Sequence, residues 1–338
     1  MLYATTRTSD GNYTAQQALT GDRGPDGGFF VPYRQPYFYG SNLKVLREMS
    51  FLKAEAQILN QLFGTKITDW DLCFSAGSSP VRMEKIGRRT IAGERWRNTD
   101  FSFEGYIAQV CRLLRVKKQA PVSTWAQIAV GSAVLLAMVL QLQREGILLP
   151  GESLDVAVSG SGLPAVSCLY LKTWGLPMGH VVCACRESKG LWDLIHDGEM
   201  HTDILEPDSQ TVDDLENLLL AESYQAEVRR FLNCVKRGKA YIPAESLMRK
   251  LREDLAVSII SETRVGETLP GVYATKHYIL SREGAAAYAG LLDYRAVTGS
   301  GNKGLVLCDR CPAEDLSYAA EKLHTEEAEL LRQLSNLT

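Results

Sequence analysis

The chain has no excess of positive charge: 37 lysines and arginines against 40 aspartates and glutamates leave a net charge of −3. Neither nucleic acid nor an anionic membrane surface is therefore an expected partner. Histidine is scarce, at five residues, and His180, His196 and His277 form no i, i+4 pair with another histidine. No metal-binding helix and no Ser-His-Asp order can be read from them. The N-terminus lacks the basic-then-apolar pattern of a secretory leader, and a cytoplasmic protein is expected. Among the eight cysteines there is one lone CxxC, Cys308-Asp309-Arg310-Cys311, with no second pair and no clustered histidine, so no metal is expected. Most of the other cysteines lie in apolar runs such as Val182-Cys183-Ala184-Cys185, as reduced core thiols do. The apolar stretch from Ala126 to Gln143 is broken near its ends by Gln127, Gln141 and Gln143. Its uninterrupted part, about 13 residues, falls short of the roughly 20 needed to span a bilayer, so a buried core helix is expected there. Internal repeats and low-complexity segments are absent.

What is present is an ordinary globular composition, 45% hydrophobic and 23% charged over 338 residues, enough for one large domain or two smaller ones. Residues 1–40 are rich in Gly, Pro, Tyr and Phe and read as strands and turns, with Asp26-Gly27-Gly28 a turn signal. Apolar residues at helical spacing over 42–63 predict one or two amphipathic helices. The segment 64–100 is mixed and basic, with Arg82, Lys85, Arg88, Arg89, Arg95 and Arg97, and reads as a solvated face. From residue 101 helix and strand alternate: helices over 103–114 and 124–144, a strand over 154–159, a helix over 163–173 and a strand over 179–184. That order predicts a βαβ unit in a parallel sheet. Residues 205–265 read as helical and charged, 278–280 and 305–308 as further strands, and 312–334 as a helical tail.

The strongest local motif is Ser159-Gly160-Ser161-Gly162-Leu163-Pro164, which follows a predicted strand and opens a helix. Glycine lets a backbone come close to a ligand, and a helix N-terminus offers unpaired N–H groups to an anion. Phosphate or carboxylate binding at Ser159, Gly160, Ser161 and Gly162 is one reading, and a plain tight turn is the other. The third glycine of a dinucleotide fingerprint is Ala165 here, so only the looser form is met.

Tyr3-Ala4-Thr5-Thr6-Arg7 and Gly24-Pro25-Asp26-Gly27-Gly28-Phe29-Phe30-Val31-Pro32 resemble the Y-x-S-T-R opening and the P-D-G-G-L-Y-V-P turn of the threonine synthase family of pyridoxal phosphate (PLP) enzymes. Phe101-Ser102-Phe103-Glu104-Gly105-Tyr106 stands where the family has L-A-F-K-D-F, and Ser123 to Ile128 where it has S-I-N-W-A-R-I. Residues 156–178, ending in Gly175-Leu176-Pro177, are similar to the stretch whose G-N-F-G loop cradles the cofactor phosphate. Ser281 to Tyr288 and Pro312-Ala313 follow in the right order.

The resemblance implies a fold type II PLP enzyme, and the departures from it bear on chemistry. Glu104 occupies the position of the Schiff-base lysine, and a carboxylate cannot form an imine. The family's small domain, with its substrate-carboxylate loop, would follow residue 114; here residues 115–121 lead directly to the next matched helix. Lys85, Lys117, Lys118 and Lys172 are the nearest lysines, none at a matched position. The expected architecture is α/β, a mostly parallel sheet with helices on both faces. An irregular N-terminal subdomain is expected over 1–100, the core over 101–338, and a deletion near 115–121. The expected function is that of a threonine synthase-like pseudoenzyme, without cofactor, binding a small phosphorylated or carboxylated ligand or a partner. The partner would be another copy of the chain or a threonine synthase. The alternative is an active PLP-dependent lyase acting on O-phosphohomoserine or a similar amino acid.

Overall fold

Short apolar runs joined by helices must be covered on both sides, because a parallel sheet leaves neither face to water. The computed structural model describes residues 1–36, 38, 40–76, 81–97, 101–114, 122–186, 189–207 and 209–335. The N-terminal segment holds β1 (Leu2–Thr5), β2 (Tyr13–Thr14), α1 (Ala15–Thr20) and β3 (Phe30–Pro32), with the strands in a small antiparallel sheet of order β2-β1-β3. Helices α2 (Ser41–Arg47), α3 (Phe51–Phe63) and α4 (Asp69–Ala76) follow. A hairpin of β4 (Arg82–Gly87) and β5 (Thr90–Glu94) leads to α5 (Phe103–Leu113) and α6 (Thr124–Arg144). The βαβ unit is β6 (Leu154–Ser159), α7 (Leu163–Thr173) and β7 (Met178–Cys185). Next come α8 (Lys189–Asp197), α9 (Gln210–Glu222), α10 (Gln225–Arg237), α11 (Glu245–Asp254) and β8 (Leu255–Ile259). The chain closes with α12 (Glu262–Lys276), α13 (Arg282–Thr298), β9 (Lys303–Cys308), α14 (Leu316–Leu323) and α15 (Glu327–Ser335).

The main sheet has the order β4-β5-β9-β6-β7-β8, parallel throughout except for the β4–β5 hairpin. Alternate residues point to opposite faces. Val156, Val158, Leu305 and Leu307 face a core shared with α3, α6, α7 and α9, while Ala157, Val182, Ala184 and Val306 face α12 and α13. The small residues of α13 bring it close to the strands: a Cβ on Gly290 would lie 2.9 Å from the Ala184 Cβ. Helix α6 is the one described helix long and apolar enough to cross a membrane, and 89% of its apolar stretch is buried inside the protein. Met138 on α6 packs against the bare Cα of Gly93 in β5.

The α/β class and the βαβ unit agree with the sequence reading. Three elements differ. The basic run over 82–94 is built into an edge hairpin of the main sheet, with Lys85, Arg88 and Arg89 exposed as a solvated face would have them, and β5 pairs with β9. Residues ahead of 101 therefore complete the core sheet. Strand β8 emerges from a segment read as wholly helical. Residues 278–280 are not a strand; they fit between the left-handed cap His277 and the N-cap Ser281, and Tyr278 Oη donates to Glu94 Oε1 at 2.6 Å. The expected deletion point, 115–121, lies outside the described residues.

Candidate functional site

After β6 the chain turns into α7 on one face of the sheet; after β9 it turns toward α14, which packs on α12 on the other face. β6 and β9 are neighbours, so their carboxyl ends part and leave a crevice, the place where open α/β sheets bind ligands. A cavity of about 340 Å³ fills it. Its apolar wall is Phe103, Ile107, Val158, Leu163 and Leu307. Its charged lining is Glu104, Asp214, Glu283 and Asp309 against Arg95 and Arg310.

Glu104 lies in the first turn of α5, exposed, where the helix end favours a carboxylate; Ser102 caps that helix by accepting from Gly105 N at 3.1 Å. Ser159 lines the cavity from the end of β6. Gly160 adopts φ +81°, the left-handed region that glycine enters without cost, and its N–H donates to Ala184 O at 2.8 Å. Gly162 is the N-cap of α7, with no side chain capping it. Glu104 and Ser159 thus share one cavity. Gly160 and Ser161 shape the loop beside it.

The sequence reading missed the residue that meets this loop. Asp214 of α9 presents a carboxylate to Gly162, whose Cβ, if it had one, would lie 3.1 Å from Oδ2. Gln210 Nε2 donates to Asp214 Oδ1 at 2.8 Å. Burial pushes the Asp214 carboxyl up to about 6, against the lowering effect of the Gln210 bond, and the nearby Asp213 charge raises it further. An anion on the loop amides would face this group. Two like charges about 4 Å apart cost about 4 kcal/mol at an effective dielectric of 20. Asp309 and Arg95 were also missed, hidden in or near the CxxC and the basic run. They form a bidentate pair, Nε–Oδ1 2.6 Å and Nη2–Oδ2 2.7 Å, with the guanidinium 3.9 Å over the Phe103 ring. Arg310, also in the lining, pairs with Glu314 at 3.0 Å, and its pKa is raised chiefly by that hydrogen bond, with smaller contributions from the charges of Glu283 and Glu104.

The N-terminal motif acts on the same helix from behind. Arg7 bonds the fully buried Glu216 through Nε (3.0 Å) and Nη2 (2.9 Å), and Thr6 Oγ1 donates to the same carboxylate. Asp26 accepts from Thr5 Oγ1 at 2.6 Å and from Gly28 N at 3.1 Å. Gly28 must lack a side chain, because a Cβ would come within 2.9 Å of Thr6 Oγ1 and Arg7 Cγ. Arg23 lies over Phe29 and pairs with Asp213 at 2.5 Å.

No lysine lines the cavity among the described residues. Lys172 is held at the opposite end of the sheet, paired with Asp254 and donating to Gly179 O at 3.2 Å. Lys85 is exposed on the edge strand β4, and Lys117 and Lys118 lie outside the described residues. Arg97 pairs with Glu94, not with Glu104.

Residues 2–76 match the family model described as the threonine synthase N terminus. No curated protein matches the chain. Among solved structures, the chain is similar to a PLP-bound threonine synthase from Brucella melitensis, with a TM-score of 0.79, 15% identity, and coverage of 96% of this chain and 92% of that one. The yeast threonine synthase gives a TM-score of 0.77 at 14% identity, covering 99% and 94% of the two chains. The Escherichia coli enzyme gives 0.68 at 16%, covering 96% and 92%. At these identities the likeness to solved structures is one of fold. The chain thus carries a segment that matches the threonine synthase N terminus, and its α/β core has the fold of the threonine synthases.

Proposed function

We infer that this chain is a pseudoenzyme of the threonine synthase fold, a small-molecule-binding protein that does not run PLP chemistry. The observation that carries this reading is Glu104: at the position the resemblance gives to the Schiff-base lysine, a carboxylate lines the cavity, with no lysine beside it among the described residues. PLP supplies an electron sink once it is joined to a lysine as an imine, and that lysine also moves protons at the substrate. The residues of the cavity do not fit that group. Asp214 stands against the Gly162 end of the loop where a phosphate would have to sit, and Arg95, the buried cation nearby, is committed to Asp309. What the chain's residues can do is bind. The apolar wall takes a hydrocarbon body, and the carboxylates, Ser159 and Gln127 supply polar contacts around it.

The test is PLP trapping: incubation with PLP, borohydride reduction and mapping of any pyridoxyl-lysine by mass spectrometry. Scattered surface label, or none, is the expected result. Stoichiometric label on one lysine would overturn the reading. It would restore the alternative, an active PLP-dependent lyase acting on O-phosphohomoserine or a similar amino acid, which the retained crevice favours. Such a lysine would have to come from outside the described lining, as Lys117 or Lys118 would.

A further inference from the structure

Around α9 the protein supplies its own cations to buried and half-buried acids. On α9 itself Glu216 has Arg7, Asp213 has Arg23 and Glu222 has Lys250, and on α10 Glu227 has Arg230. Asp309 in the cavity has Arg95. Among the described residues, Asp214, Glu283 and Glu104 have no cation within 4 Å, although all three line the cavity. Glu104 and Glu283 stand in the first turns of Ser-capped helices, where the helix end offsets part of their charge. Asp214 is the fifth residue of α9, beyond the turn in which that offset acts, and its one hydrogen-bond partner is the neutral Gln210. The apolar wall faces these carboxylates across the same space. Arg95 displays the chemistry such a lining accepts: a guanidinium lies flat on Phe103 while a carboxylate holds its two N–H groups.

We propose that the cavity binds a small organic cation, an amine or guanidinium on a short apolar body, with Asp214 as its main counter-charge and Glu283 and Glu104 as lesser ones. The proposal rests on the PLP-free reading above and names the ligand class for that same site. The cation's hydrocarbon lies on Phe103, Leu163 and Leu307, and its head turns toward α9. Binding strengthens as Asp214 ionises. Among the described residues, the groups that face Asp214 are Gln210 and Asp213 on its own helix and Gly162 at the start of α7, and none of them is cationic.

The test uses four probes with one body and different heads, titrated calorimetrically into the full chain at pH 7.5: n-butylguanidinium, n-butylammonium, n-butanol and n-butyl phosphate. Both cations should bind at least tenfold more tightly than butanol, and butyl phosphate more weakly still. Asp214→Asn, close in shape, should weaken the cations tenfold or more and leave butanol unchanged. Glu283→Gln, on a partly exposed helix start, should weaken them about threefold. Butyl phosphate binding as tightly as the cations would overturn the charge assignment and leave the PLP-free reading standing. Cation affinity unchanged in both variants, or no binding by any probe, would overturn the site. A single pyridoxyl-lysine in the trapping experiment would instead remove the reading on which it rests.

Discussion

Helix α9 carries acids on two sides, and the protein treats them in opposite ways. On the side facing the N-terminal module, Glu216 is fully buried and held by Arg7 and Thr6, and Asp213 is held by Arg23. On the side facing the cavity, Asp214 has an amide and, among the described residues, no cation. The first arrangement fixes a helix. The second leaves a charge to be answered from outside. The family motif Tyr3 to Arg7, with its Asp-Gly-Gly turn, is therefore a clamp on the helix that forms one wall of the cavity, and it does this work whether or not a cofactor binds.

Breaking the clamp should have the largest effect. Arg7→Ala leaves Glu216 buried without its cation, and such losses cost about 4 kcal/mol. A fall of that order in urea stability is expected, with faster hydrogen exchange in α9 than in α13. A variant within 0.5 kcal/mol of the parent would show that the pair is ornamental.

Glu55 sharpens the comparison, because it is a buried acid with a phenol, not an arginine, as partner. Tyr106 Oη donates to its Oε1, and Oε2 accepts no hydrogen bond. Burial pushes the Glu55 carboxyl up to about 8, only partly opposed by the Tyr106 bond. Its folded value lies above the ordinary 4.5, so its contribution to stability is complete below pH 4.5, declines as pH rises, and is lost by pH 8 to 9. Between pH 5 and pH 9 the parent should lose about 4 kcal/mol from this group. Glu55→Gln should flatten that slope; an unchanged slope would place the pH dependence elsewhere.

Asp214→Asn should give the smallest change, and one of opposite sign. The folded carboxyl is raised to about 6 from 3.8, so its contribution is present below pH 3.8 and lost as pH rises through about 6. Removing the charge should stabilise the protein by up to about 1 kcal/mol at pH 8, with allowance for its partial exposure, and by nothing near pH 3.5. Thermal denaturation at the two pH values reads this directly. Destabilisation at pH 8 would mean that Asp214 is answered within the fold and that the two sides of α9 are alike.

The parts of this molecule that could be read in the sequence were those with strong local rules. Helix α6 begins at a serine cap and runs as one buried apolar stretch, and β6, its glycine turn and α7 follow in an order with one ordinary meaning. Glu104 and Ser159 could be placed because a motif carried each of them. Asp214, Glu283 and Arg310 could not be placed together, since α9, α13 and the turn after β9 converge only through the order of strands in the sheet. Hairpin β4–β5 was obscured by its basic residues, which an edge strand tolerates on its solvent side.

Strand β9 lies in the middle of the sheet, between β5 and β6, yet it comes after every other described strand in sequence. Thr90 to Glu94 must wait for Gly304 to Cys308 before they are paired on that side. While the chain is being synthesised, the sheet stands open along its centre until the segment that carries β9 has left the ribosome. The crevice has no second wall before Leu307 and Asp309 arrive, so the binding site is among the last things the molecule acquires.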